Sequence, residues 1–234
     1  MRRTSDTLRD TPAYTLGQAA HYLGLPYSTV KTWVIGQHYE AEGNRKFLKP
    51  VIQPADRERN LLSFRNMVEL HVLSLTRREF KIPMHKVRTA VEYLKRTEKT
   101  ANPLSDVVIH TDRVDLFVEQ LGEFISASRG GQVALRSLLE HYLKRVDRDK
   151  HGMPLRLYPF TRIGPIEEQP KMVVIDPELA FGRLAVADLG VSTRMIADRL
   201  KQGESIQDLM DDYGCSSAVI EEAIRCEMMH SDAA

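Results

Sequence analysis

Between Thr15 and Val34 the apolar residues recur at helical spacing in two short blocks. Leu16, Ala19, Ala20 and Leu23 form one stripe, Thr15 and Gln18 have capping-box spacing, and Gly24 supplies a left-handed stop. Pro26 cannot continue that helix. Ser28 or Thr29 caps a second one, whose inward residues are Val30, Trp33 and Val34, so "GLP" is the turn between them. Close crossing of two such helices needs a small residue in the first, a glycine four later and a branched apolar residue six beyond that. Ala20, Gly24 and Val30 meet the spacing of a helix-turn-helix.

Further on, "KFLKPVIQ" and "NLLSF" flank "PADRER", which predicts a two-stranded hairpin, a wing, with Arg57 and Arg59 at its tip. Leu61 to Phe80 is strongly helical, and Pro83 opens another helix with Met84, Val87, Val91 and Leu94 on one face. The turn-rich "KRTEKTANPLSD" marks a boundary. After it, "VVIHT", "VDLFV" and "EFISA" predict a small antiparallel meander, covered by a helix with Leu135, Leu138, Leu139, Tyr142 and Val146 on one stripe. A proline-rich passage ends near Pro170. Short strands follow, and then three brief helices starting at Ser192, at Glu204 or Ser205, and at Ser216.

The expected architecture is α+β and mainly α, in three modules. These are a winged helix-turn-helix over 12–100, a central antiparallel β/α segment over 101–170, and a three-helix, helix-turn-helix-like module over 171–230. Charge sharpens the division. Residues 1–100 hold 18 Lys+Arg against 10 Asp+Glu, residues 101–170 hold 9 against 10, and residues 171–234 hold 6 against 12, although the whole chain is only +1. A basic front and an acidic back predict that one end meets a polyanion while the other does something else.

If Ala20, Gly24, Val30 and Trp33 pack inward, the start of the second helix presents Tyr27, Ser28, Thr29, Lys31 and Thr32. Hydroxyls and an ammonium there suit phosphate contact and base-edge hydrogen bonding. Arg45, Lys46, Arg57 and Arg59 are the residues expected to reach flanking phosphates of double-stranded DNA from the wing.

Other chemistry finds little support. "SRGGQ" before a helix lacks the Gly-Lys-Ser/Thr ending of a phosphate loop, and the eight histidines show no His-x-x-x-His spacing. Cys215 and Cys226 are read as reduced packing residues, and neighbouring acids such as Asp211-Asp212 as solvated helix faces. No nucleophile, base and oxyanion donor assemble, so neither an enzyme nor a metal or cofactor is expected. Without a long apolar run or a secretory leader, the expectation is a soluble, cytoplasmic protein.

Helix, turn, "YSTVKTW", wing, long helix and "IPMHKVRTAVEYL" together resemble the DNA-binding domain of MerR-type regulators over about residues 12 to 97. Those regulators continue into a dimerising coiled coil, where this chain has a β-rich passage. Ile175-Asp176-Pro177, Gly182 to Val186, Gly203-Glu204-Ser205 and Tyr213-Gly214 resemble the homeodomain-like module of bacterial antitoxins. The region around "SRGGQVALRSLLEHYLKRVDRDKHGMPLRLYPFTR" is similar to the link in VapB-type antitoxins that join these same two ends. The resemblance implies a type II antitoxin that sequesters a PIN-like ribonuclease toxin and binds its own operator with it, as a homodimer or a larger toxin–antitoxin complex. An acidic nuclease site would be blocked by an inserted arginine or a covered RNA groove. The candidates are Arg129, Arg156 and Arg162, with Tyr158 and Phe160 as interface anchors. The alternative is a stand-alone MerR-like transcriptional regulator with a C-terminal sensing region.

Overall fold

The computed structural model describes residues 8–41, 43–78, 82–106, 117–118, 121, 129–162 and 164–228. Helix α1 (Leu16–Leu23) begins on a complete capping box: the Thr15 hydroxyl accepts from the Gln18 amide, and the Gln18 side chain accepts from the Thr15 amide. It ends at Gly24, whose φ of 60° and ψ of 40° are left-handed. Helix α2 (Tyr27–Val34) follows Pro26, but neither Ser28 nor Thr29 caps it: Pro26 holds the cap position without a side-chain bond, and both hydroxyl residues lie inside the first turn. Ala19, Ala20, Val30, Trp33 and Val34 are all buried between the two helices and α3 (Phe64–Arg78).

The wing is not where the turn residues of "PADRER" place it. Strands β1 (Gln37–Ala41) and β2 (Asn44–Leu48) form the hairpin directly after α2, in antiparallel register from Gln37↔Leu48 to Ala41↔Asn44. "PADRER" does turn, because the Asp56 carboxylate accepts from the Glu58 and Arg59 amides, both at 3.0 Å. Leu61 pairs with Asp56 across it, but the flanks beyond pair elsewhere. The Val51 and Ile52 amides donate to the Trp33 carbonyl, and Leu62 bridges Tyr14. Long-range backbone demands override the local hairpin pattern.

Helix α4 (Met84–Glu98) starts after Pro83 and buries Val87, Val91 and Leu94; the short α5 spans Pro103–Asp106. The expected meander is also corrected. Phe117, Val118 and Leu121 lie in helical backbone and are buried, while the remainder of "VVIHT", "VDLFV" and "EFISA" falls outside the described residues. The sheet forms later in the chain. After α6 (Arg129–Leu143), strands β3 (Val146–Arg148), β4 (Pro154–Leu157), β5 (Val173–Ile175) and β6 (Leu184–Val186) make one antiparallel sheet in sequential order. It joins strands from both sides of the boundary expected near residue 170.

Three helices complete the chain: α7 (Thr193–Lys201), α8 (Ile206–Tyr213) and α9 (Ser217–Met228). They close a small core of their own around Val186, Ile196, Leu209, Ile220 and Ala223. The larger core runs continuously from Tyr14 through α3, α4, α6 and the sheet to Cys226. Both cysteines are free, and burial pushes the Cys226 thiol up to about 12, which keeps it protonated and inert. Among the described residues, no helix is long and apolar enough to cross a membrane.

Candidate nucleic-acid interface

The first turns of α2 stand clear of the body. Tyr27 is 48% exposed, and Ser28 and Lys31 are also exposed. Thr29 is not part of this face. At 8% exposure it points into the packed side, a consequence of helical phase beside Val30 and Trp33. Thr32 is half-buried: its hydroxyl donates to the Ser28 carbonyl at 2.8 Å and lies 3.1 Å from Gln37 Oε1, which ties α2 to the first residue of the wing.

Arg45 and Lys46 lie on β2 and are exposed. As neighbours on a strand they leave from opposite faces of the ribbon, so only one of them can face the same side as α2. The ribbon reaches this position through Gly36, whose φ is +91° and whose added Cβ would stand 2.5 Å from the Leu48 carbonyl oxygen. Arg57 and Arg59 belong to the separate Asp56 turn; both are exposed, and Arg59 lies 3.5 Å from the Asp56 carboxylate. The positive candidates expected on one wing thus occupy two places, strand β2 and the Asp56 turn.

Beneath this face lies a buried polar network. Asn66 Oδ1 accepts from the Ala55 and Ser63 amides, and Asn66 Nδ2 donates to the Gln53 carbonyl, so one side chain pins the 53–55 loop to α3. Asn66 and Asn102 both direct Nδ2 at Glu69 Oε2, at 3.2 and 2.9 Å. These neutral donors do not offset desolvation, which pushes the Glu69 carboxyl up to about 7.

The residues named for a toxin contact are held by the chain itself. Arg156 donates to Asp176 at 2.8 Å, and the Tyr158 hydroxyl donates to Asp147 at 3.0 Å. Phe160 packs among His71, Tyr142 and the Arg145 guanidinium. Arg162 donates to Glu222 at 2.8 Å, and Glu222 is fully buried. Arg129 is the first residue of α6. Sequence reading missed Arg145, which donates to the carbonyls of Tyr158, Pro159, Gln169 and Pro170 and so clamps both ends of the proline-rich passage. Nothing local marks it, because its four acceptors are backbone atoms.

The C-terminal helices repeat the N-terminal pair. One and the same offset separates Thr15 from Ser205, Gln18 from Asp208, Gly24 from Gly214 and Val30 from Ile220. Ser205 and Asp208 form a second capping box, and Gly214 has φ 62° and ψ 40°, nearly those of Gly24. The reading positions differ in charge. Where α2 has Tyr27, Ser28, Lys31 and Thr32, α9 has Ser217, Ala218, Glu221 and Glu222. Glu222 is moreover occupied by Thr161 and Arg162 of the same chain.

Of two helix pairs built on the same local pattern, the first, open and polar with Lys31, belongs to an N-terminal helix-turn-helix domain and is the candidate DNA reader, while the second is acidic and packed on its own chain. Residues 12–91 match the family described as "Putative DNA-binding HTH domain", and residues 173–225 match the protein family of unknown function DUF433. Along most of its length the chain is 26% identical to "Putative antitoxin VapB45" of Mycobacterium tuberculosis, covering 92% of this chain and 93% of that protein. It is also 26% identical to the uncharacterized protein Rv2308 of the same organism, over 93% and 91% of the two chains. The crystal structure of Rv2018 from M. tuberculosis has the same fold, with a TM-score of 0.66 and 23% identity over 92% of this chain and 98% of that one.

Proposed function

We propose that this protein is a DNA-binding antitoxin. Helix α2 enters the major groove of its operator, Tyr27, Ser28 and Lys31 meet base edges and phosphates, and Arg57, Arg59 and whichever of Arg45 and Lys46 shares the α2 side of the ribbon meet flanking phosphates. Thr32 supports the wing, and Thr29 supports the core. The observation that carries the reading is the open, polar start of α2 beside a ribbon that exposes Arg45 and Lys46, in a chain similar over nearly its full length to a protein named as an antitoxin. A palindromic operator would be met by a homodimer.

The partner is a PIN-like ribonuclease toxin bound by the middle and back of the chain. Arg156 and Arg162 would reach an acidic nuclease site only by exchanging Asp176 and Glu222 for the toxin's carboxylates, whereas Arg129 stands at a helix start. Tyr158 and Phe160 then act by holding the strand that carries Arg156. Co-expression of the full chain with the product of the adjacent reading frame tests this. Relief of growth arrest with co-purification is expected; arrest unrelieved by a soluble, folded chain would overturn the antitoxin reading.

A further inference from the structure

The C-terminal module docks against α1 and leaves a cleft of about 450 Å³ between them. Gln18, His21 and Tyr22 form the α1 side, and Arg183, Arg194 and Glu227 form the opposite side. The docking itself is specific. His21 Nε2 lies 3.5 Å from Glu227, the Thr193 hydroxyl donates to the same carboxylate at 2.6 Å, and a Cβ at Gly182 would stand 2.5 Å from the Tyr14 hydroxyl. Glu227 is thereby engaged within the wall, and contact with His21 and Thr193 holds its carboxyl below the usual range against the effect of burial.

The two arginines are placed differently. Arg183 is exposed, and Arg194 has 76% of its side chain in solvent; it lies 3.5 Å from Asp198 one turn on, and its charge also acts on Glu227 in the cleft wall. An exposed pair of that kind is worth only a few tenths of a kcal/mol, so it does not hold the guanidinium back from an anion. Residues 171–234 hold only 6 Lys+Arg against 12 Asp+Glu, yet two of those six stand at the cleft beside the helix-turn-helix.

In a helix-turn-helix complex the second helix lies in the groove and the first crosses the sugar–phosphate backbone. A backbone strand that crosses the first turn of α1 would meet the Gly17–Gln18 end of this cleft. From these observations we infer that the C-terminal module extends the DNA interface, with Arg183 and Arg194 binding backbone phosphates of the duplex that α2 reads. Guanidinium groups suit phosphate oxygens through paired N–H donors. The inference rests on the DNA-binding reading of α2 and adds to it a role for the module that carries the acidic, closed helix pair.

The test is fluorescence anisotropy with the full chain and two labelled duplexes, one from upstream of its own reading frame and one scrambled, in NaCl from about 50 to about 300 mM. Arg183→Ala and Arg194→Ala should each flatten the slope of log affinity against log salt by roughly 0.9, and the double variant by roughly twice that, equally on both duplexes, because phosphates carry no sequence. Arg→Lys at both positions should restore most of the slope, which separates charge from folding. Lys150→Ala, in the β3–β4 turn and away from the cleft lining, should leave it unchanged. A wild-type slope in the double variant, with Lys31→Ala still flattening it, overturns this inference and spares the reading of α2. Absence of binding by the wild-type chain overturns both.

Discussion

Replacing Glu69 by glutamine should remove the loss of stability that its buried carboxyl causes as pH rises. The carboxyl is buried in α3, and two neutral amides, Asn66 and Asn102, donate to it, both at one oxygen. Desolvation therefore outweighs the hydrogen bonds and the distant attraction of Lys95 and Arg65, raising the group from an ordinary 4.5 to about 7. Because the folded value is the higher one, the fold binds a proton that the unfolded chain has lost. The contribution of Glu69 to stability is full below about pH 4.5, declines as pH rises, and is gone above about pH 7. At about 1.4 kcal/mol per tenfold change, the loss across that window is roughly 3 kcal/mol. Glutamine keeps the shape and the neutral state. Urea unfolding at about pH 5 and about pH 8 should show the stability of Glu69→Gln relative to wild type rising by about that amount between the two. A difference that does not change with pH would refute the reasoning.

Other expectations follow from single contacts. Gly36→Ala should cost more than about 1 kcal/mol in urea unfolding, since its φ of +91° and the Leu48 carbonyl 2.5 Å away both oppose a Cβ; a neutral result would contradict the observed path into the wing. Arg162→Ala should cost about 2 kcal/mol, because it leaves the buried Glu222 with Thr161 and with Arg225 at 3.6 Å. Arg162→Lys should recover part of that loss, and a change below about 0.5 kcal/mol on thermal or urea unfolding would show that the pair does not secure α9.

What the sequence disclosed was local. Thr15, Gln18 and Gly24 announce their helix and its end through contacts at most a few residues apart, and Ser205, Asp208 and Gly214 do the same at the back of the chain. The wing was misplaced because proline and aspartate in "PADRER" signal a turn, which it is, while pairing is decided by Trp33 and Tyr14 far away in sequence. The sheet was hidden for a similar reason. Leu157 pairs with Ile175 across a proline-rich passage that Arg145 fastens through backbone carbonyls, and no periodicity records such a partner. At the interface, helical phase correctly put Tyr27, Ser28 and Lys31 outside, but Thr29 falls just within the buried arc. The ion pairs of Arg156 and Arg162 lie with residues 20 and 60 positions on, beyond the range of any local pattern.

The central claim is that α2 reads DNA. Its most direct test is the affinity of a Tyr27→Ala, Lys31→Ala variant for the upstream and scrambled duplexes, measured by anisotropy beside wild type. The structure places both side chains outside the core, so the variant should fold as wild type does. Loss of about tenfold or more in affinity, together with loss of preference for the upstream duplex, is the expected result. Equal affinity and equal preference in the variant would contradict the account.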